Sequence, residues 1–200
     1  AKERGLRGAR WAKMTGPVMR ESPGGNPLIV WNQPHMIYLA ELLYLNSPTQ
    51  QTLERYRELV LETAECLASM VHFDEARKAY VLGPPLWIAQ EIYDQATSQN
   101  PSFELEYWRW ALETAQHWRE RLGKRHEEKW DHIIQNLAPV PQKDGKYVAL
   151  ESHPDTWDNI DSRHDHPTML APLGILPGTG VDRATMERTL DAVLETWDWE

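Results

Sequence analysis

What most limits the possible folds of this chain is a rhythm of helical stripes. Apolar residues recur at the three-to-four spacing that gathers them on one helix face, over stretches long enough to need a covering partner. The breaks between stretches alternate, one short and the next long. A short break makes consecutive helices antiparallel neighbours, so the expected class is mainly α, with about six helices in antiparallel pairs. Short β-hairpin pieces are expected in the connections.

The first stripe is Tyr38, Leu39, Leu42 and Leu43, read as the buried face of a helix that begins after His35. Asn46-Ser47-Pro48-Thr49-Gln50 interrupts it. Ser47 is placed there to cap the next helix, Pro48 to occupy its first position and Gln50 to complete a capping box. Leu53, Tyr56, Val60, Ala64, Leu67 and Val71 mark that helix's inner face, opposite a solvated charged face. A turn and short strand follow over residues 72–82. Asn100 is placed to cap a third long helix, with Leu105, Trp108, Leu112, Ala115 and Leu122 inward and Gly123 as its stop. Trp110 and Trp118 widen its apolar surface, so it should be buried on two sides. Trp130, Ile133, Ile134 and Leu137 define a fourth helix over 127–137. Lys143-Asp144-Gly145-Lys146 has the chemistry of a hairpin turn. A short helix over 168–176, with Asp165 as its cap, precedes a last helix capped by Asp182. The inner face of that helix is Met186, Leu190, Val193, Leu194 and Trp197.

The long connections hold the Trp, His and Asp residues, which predicts one loop-rich functional face. Residues 1–34 are broken by Gly and Pro too often for a long element. They nevertheless carry Arg10, Trp11, Lys13, Met14 and Arg20, and an ordered loop of that kind often lines a site. Residues 35–200 supply the helix pairs. The whole, 1–200, reads as a single domain or as part of one.

Composition narrows the function. Ten Trp stand against two Phe. An indole pairs a flat apolar face with a polar edge, which suits the C–H faces of a sugar, although a Trp-rich helical core accounts for most of the ten. A net charge of −9 argues against nucleic acid as the main partner, since phosphate binding needs a basic surface. Cys66 is alone and fits a small core residue. The longest apolar run, residues 36–45, is too short to span a bilayer and contains Glu41. The N-terminus has no signal-peptide core, and its lack of an initiator Met fits a processed or excised piece.

The candidate chemistry centres on Gly83-Pro84-Pro85-Leu86-Trp87-Ile88-Ala89-Gln90-Glu91-Ile92-Tyr93-Asp94. Glu91 is its one Glu, set among Trp87, Ile88, Ile92 and Tyr93, where desolvation would raise a carboxyl pKa toward that of a general acid. Cleavage of a glycosidic bond needs a second carboxylate. Asp94, Glu104, Asp155 and Asp165 are the candidates, with Glu104 also suited to the first turn of its helix. Trp31-Asn32-Gln33-Pro34-His35 could stack a sugar and hydrogen-bond it. His153, Asp155, His164, Asp165 and His166 match no strong metal signature, and neither a metal nor another cofactor is expected. The absence of GxSxG, P-loop and GxGxxG patterns removes an α/β-hydrolase elbow and nucleotide chemistry. A non-catalytic helical module that binds a glycan or a protein through the same face is the alternative.

With these residues laid out, the chain resembles a stretch of the six-hairpin glycosidases, (α/α)6-toroid glycoside hydrolases related to the family 65 type. The resemblance is carried by Gly8-Ala9-Arg10-Trp11 with Thr15-Gly16-Pro17 and by Trp31-Asn32-Gln33-Pro34-His35. It extends through Gly83-Pro84, Gln90-Glu91 and Asn100-Pro101-Ser102-Phe103-Glu104-Leu105, to His153-Pro154-Asp155 and Asp165-His166-Pro167. It implies an inverting glycoside hydrolase, or a phosphorylase, with Glu91 as general acid and Glu104 as fallback. Trp11, Trp31, Gln33, His35, Trp87, Asp94, His153 and Asp155 would contact a carbohydrate substrate. In family 65 enzymes the acid follows Gly-Pro closely, whereas here Pro85 to Gln90 intervene. A full toroid has more helices than this chain supplies. The resemblance therefore implies part of a barrel, with an apolar seam that meets the remainder or a second copy.

Overall fold

The computed structural model describes residues 1–199. Among them are six α-helices and two antiparallel strand pairs: α1 (His35–Asn46), α2 (Gln50–Met70), β1 (Val71–Asp74), β2 (Ala79–Leu82), α3 (Ser102–Arg121), α4 (Glu128–Asn136), β3 (Gln142–Lys143), β4 (Lys146–Tyr147), α5 (Ala171–Gly174) and α6 (Arg183–Thr196). The protein is mainly α. No helix among the described residues is long and apolar enough to cross a membrane. Residues 1–34 contain only 3-10 turns at Lys2–Arg4 and Asn26–Leu28 and isolated bridges.

α3 is the centre. It packs on α1, α2, α4 and α5, and its buried residues include Leu105, Trp108, Leu112, Ala115 and Trp118. A helix enclosed on several sides needs apolar residues around most of its circumference, which the indoles provide. Trp108 donates its indole N–H to the Leu67 carbonyl at 3.1 Å, tying α3 to α2. Glu41 of α1 accepts from the Trp118 indole at 2.6 Å and from Arg121 at 2.6 and 2.9 Å, joining α1 to the far end of α3.

Short links and long connections alternate along the chain. Ser47–Thr49 joins α1 to α2, and residues 122–127 join α3 to α4. Two long excursions alternate with them, 71–101 between α2 and α3 and 137–170 between α4 and α5. Each carries a hairpin: β1 pairs with β2 from Val71↔Leu82 to Asp74↔Ala79, and β3 pairs with β4. The second turns through Asp144 and Gly145, both at positive φ, as a tight two-residue hairpin requires.

Several local details differ from the pattern. Thr49, not Ser47, caps α2, accepting the Thr52 N–H at 3.1 Å. Asn100 does not cap α3, which begins after Pro101. Asn100 instead takes φ +51°; its Oδ1 accepts the Leu82 N–H at 2.9 Å and its Nδ2 donates to Glu151 at 2.6 Å. It thus staples the first hairpin to the second long excursion. Asp165 does not cap the helical turn that follows it: it ends the 3-10 turn Asp161–His164, and the turn Thr168–Leu170 starts after Pro167. On α1 the residues that go inside are Ile37 and Ala40, while Leu39, Leu42, Leu43 and Leu45 are exposed. On α6, Met186, Val193 and Trp197 are buried but Leu190 and Leu194 are not. Both helices are apolar on more than the face they bury.

Candidate functional site

The first long excursion is pinned from three sides. Gly83 turns at φ +74° where any Cβ would collide with the Ser98 carbonyl, so only glycine fits. Leu86 and Ile88 point into the core. The Leu86 N–H donates to the Gln95 carbonyl and the Trp87 N–H to the Leu28 carbonyl, both at 2.9 Å. Gln90 is fully buried. Its amide donates to the Ser162 carbonyl at 3.0 Å and hydroxyl at 3.1 Å, and its Oε1 accepts from the Thr168 hydroxyl at 2.8 Å. The Tyr93 hydroxyl meets the same Ser162 hydroxyl at 3.0 Å. Gln90 and Tyr93 therefore fix the loop on both sides of Glu91, which projects outward between them.

Glu91 opens into a cleft of about 250 Å³ lined by Lys13, Trp31, Ala89, Glu91, Asp165 and His166. These residues come from the N-terminal loop, the entrance to α1 and both long excursions. Lys13 Nζ lies 3.0 Å from Glu91 Oε1 and 5.7 Å over the Trp31 ring. Asp165 accepts the His166 N–H at 2.6 Å and lies 3.2 Å from its Nδ1. Behind Trp31, the His35 ring packs edge-on at 5.3 Å and shares a hydrogen bond of 2.8 Å with the Tyr107 hydroxyl. Burial lowers the His35 pKa and raises that of Tyr107, which favours the neutral form of both behind the cleft wall. On its other side Glu91 borders a cavity of about 400 Å³ that includes Leu28, Trp87, Tyr93 and Asp94.

The structure does not build the apolar shell expected around Glu91. Ile88 is buried beneath it, Ile92 faces solvent, and Trp87 gives its indole N–H to the Glu91 carbonyl. The Glu91 side chain is 46% exposed and ion-paired. The fallback acid Glu104 is, by contrast, strongly desolvated. It is sealed inside, neither oxygen has a hydrogen-bond partner, and burial pushes it up to about 8. Glu104 is not among the residues that line the cleft.

Trp31 lines the Glu91 cleft, whereas His35 stands behind it and does not. Trp11 and Gln33 do not line it: the Gln33 amide accepts the Trp11 N–H at 2.8 Å and donates to the Trp11 carbonyl, and the Trp11 indole binds Thr63. This clamp orders the N-terminal loop and so places Lys13. Asp94 folds back on the Ala96 N–H at 3.0 Å, at the wall of the larger cavity. His153 pairs with the Thr97 hydroxyl at 2.9 Å, and Asp155 is exposed outside the cleft. His164 pairs with Asp198, so the His/Asp group is dispersed. Among the described residues no cluster of metal-ligating side chains forms. Lys13 is the cleft residue that spacing could not reveal, because it stands 78 positions from Glu91.

Comparison with models of known protein families returns no match, and comparison with curated proteins returns none.

Proposed function

We propose that this chain is the acid-bearing part of a carbohydrate-active enzyme of the glycoside-hydrolase kind, built as part of an (α/α)6 toroid. The observation that carries the reading is the convergence of Trp31, Glu91 and Asp165 on one cleft from separate segments. An indole wall stacks the apolar face of a sugar ring. Two carboxyl groups at its edges are what glycoside cleavage uses, one as acid to the leaving oxygen and the other as base or nucleophile at the anomeric carbon. Glu91 takes the acid role and Asp165 is the carboxylate placed to complement it. A sugar stacked on Trp31 displaces water from the cleft and from around the Lys13–Glu91 pair. The ion pair with Lys13 must open in that step, so Lys13 acts as a latch on the empty site.

The apolar faces left on α1 and α6 support the partial barrel. Leu39, Leu42, Leu43, Leu190 and Leu194 are exposed and would be covered by the remainder of the toroid or by a second copy.

The test is turnover by the intact polypeptide on a glycoside panel. Glu91→Gln should lower kcat/KM at least about a hundredfold, in line with general acid catalysis; a change of only a few-fold would remove Glu91 from the acid role. The solvated, ion-paired state of Glu91 favours the second reading, a non-catalytic module that binds a glycan or a protein partner. That reading requires saturable binding that survives Glu91→Gln, with no turnover.

A further inference from the structure

Beside the Glu91 cleft lies a larger cavity, of about 480 Å³, whose walls include Trp31, Phe103, Leu170, Ala171 and Ile175. It shares Trp31, Ala89 and His166 with the cleft, so the two are continuous across one indole. We infer that this cavity is the subsite for a hydrophobic aglycone, and that the substrates are glycosides of alkyl or aryl alcohols rather than oligosaccharides. The inference rests on the glycoside reading above and names the substrate class of that same site.

The chemistry of the wall decides between a second sugar and an apolar group. A sugar unit brings several hydroxyls, and each one desolvated without a partner costs about 1–3 kcal/mol. The cavity offers little to meet them. The Thr168 hydroxyl is already donated to Gln90. The His166 ring stands at the solvent side, with its side chain 77% exposed, and is available to one atom at the boundary. The Trp31 indole N–H is a buried donor without a partner and can serve one oxygen, such as the glycosidic one; the other side chains named are hydrocarbon or aromatic. Ile175 at the mouth is 64% exposed, an apolar surface that an occupant would cover. In the reaction the anomeric C–O bond breaks and the Glu91 proton goes to the leaving oxygen. Water supplies hydroxide to the anomeric carbon and its second proton to the base. The departing alcohol or phenol is then held by Trp31 and Phe103.

The experiment compares methyl and n-octyl glycosides of the same sugar, whose leaving groups are similar in acidity, with the intact polypeptide. Hydrocarbon burial of this size should favour the octyl glycoside in kcat/KM by about tenfold or more. Gly174→Leu should erase most of that preference. Gly174 lines the cavity and a Cβ there would meet no atom within 4 Å, so a side chain can be started at this position without a clash at its first carbon. Ile175→Ser should weaken the preference without filling the space. Equal rates for the two glycosides, or a preference untouched by both variants, would overturn the subsite while leaving the glycoside reading intact. If neither glycoside is turned over but benzyl alcohol binds in a Gly174-sensitive way, the glycoside reading fails and the aglycone role falls with it. Loss of self-association in Gly174→Leu would assign the cavity to a second copy and overturn the proposal.

Discussion

Burial of the Glu104 carboxyl has a signature in the pH dependence of stability. Its folded value of about 8 lies above the ordinary 4.5, so the folded chain holds a proton there that the unfolded chain releases. Between those two values the folded state binds more protons than the unfolded state, and stability falls as pH rises through that window. Glu104→Gln keeps the shape and removes the titration. The melting temperature of the variant should gain at least about 5 °C more at pH 8 than at pH 5 relative to the parent. An equal change at both pH values would mean that Glu104 is ionised in the fold. At Glu41 the expected effect has the opposite sign. It is the common acceptor for the Trp118 indole and the Arg121 guanidinium, and Glu41→Ala leaves both without it. Denaturant unfolding should show a loss of about 2–4 kcal/mol.

At the level of elements, Gln90 joins the two long excursions. Gln90→Leu preserves bulk but strands the Ser162 and Thr168 partners in the interior, which should cost about 2–4 kcal/mol. It should also make residues 83–100 the first site of limited proteolysis; unchanged protease resistance would show that the Leu28 and Gln95 backbone contacts hold the loop alone. The helices themselves were legible in the sequence because apolar periodicity is local: α2, α3 and α4 lie where Leu53, Trp108 and Ile133 place them. The alternation of short and long connections was legible for the same reason. Asn100 was not, because an Asn just before Pro looks like a cap, whereas its amide is claimed by Leu82 and Glu151 from outside the helix. The inner face of α1 was misjudged too. Its stripe of Leu is apolar as expected, but Ile37 and Ala40 on another face are the ones α2 and α3 cover.

For the molecule as a whole, the unburied Leu residues of α1 and α6 predict association. Sedimentation should be concentration-dependent, and Leu42→Lys combined with Leu190→Lys should reduce it; a monodisperse parent at high concentration would argue against a seam. The site shows the same division between local and distant information. Trp31 and Glu91 stand out by residue type and line one cleft, while His35 lies behind the Trp31 wall. The environment of Glu91 could not be read from its neighbours in sequence, because Lys13 and Asp165 reach it from distant segments and Ile88 turns the other way.

The link from Gln90 to Ser162 spans 72 residues, and that separation bears on how the chain is made. During synthesis at about 5–20 residues per second, the loop that presents Glu91 is complete for roughly 4–15 seconds before Ser162 and Thr168 exist. Over that interval the helices α2 and α3 can assemble, since their contacts lie close in the chain, while the buried amide has no partner. The cleft therefore orders after α2 and α3 have paired. Nascent chains stalled before residue 162 should be cleaved within 83–100 under protease pulses that leave α2 and α3 intact.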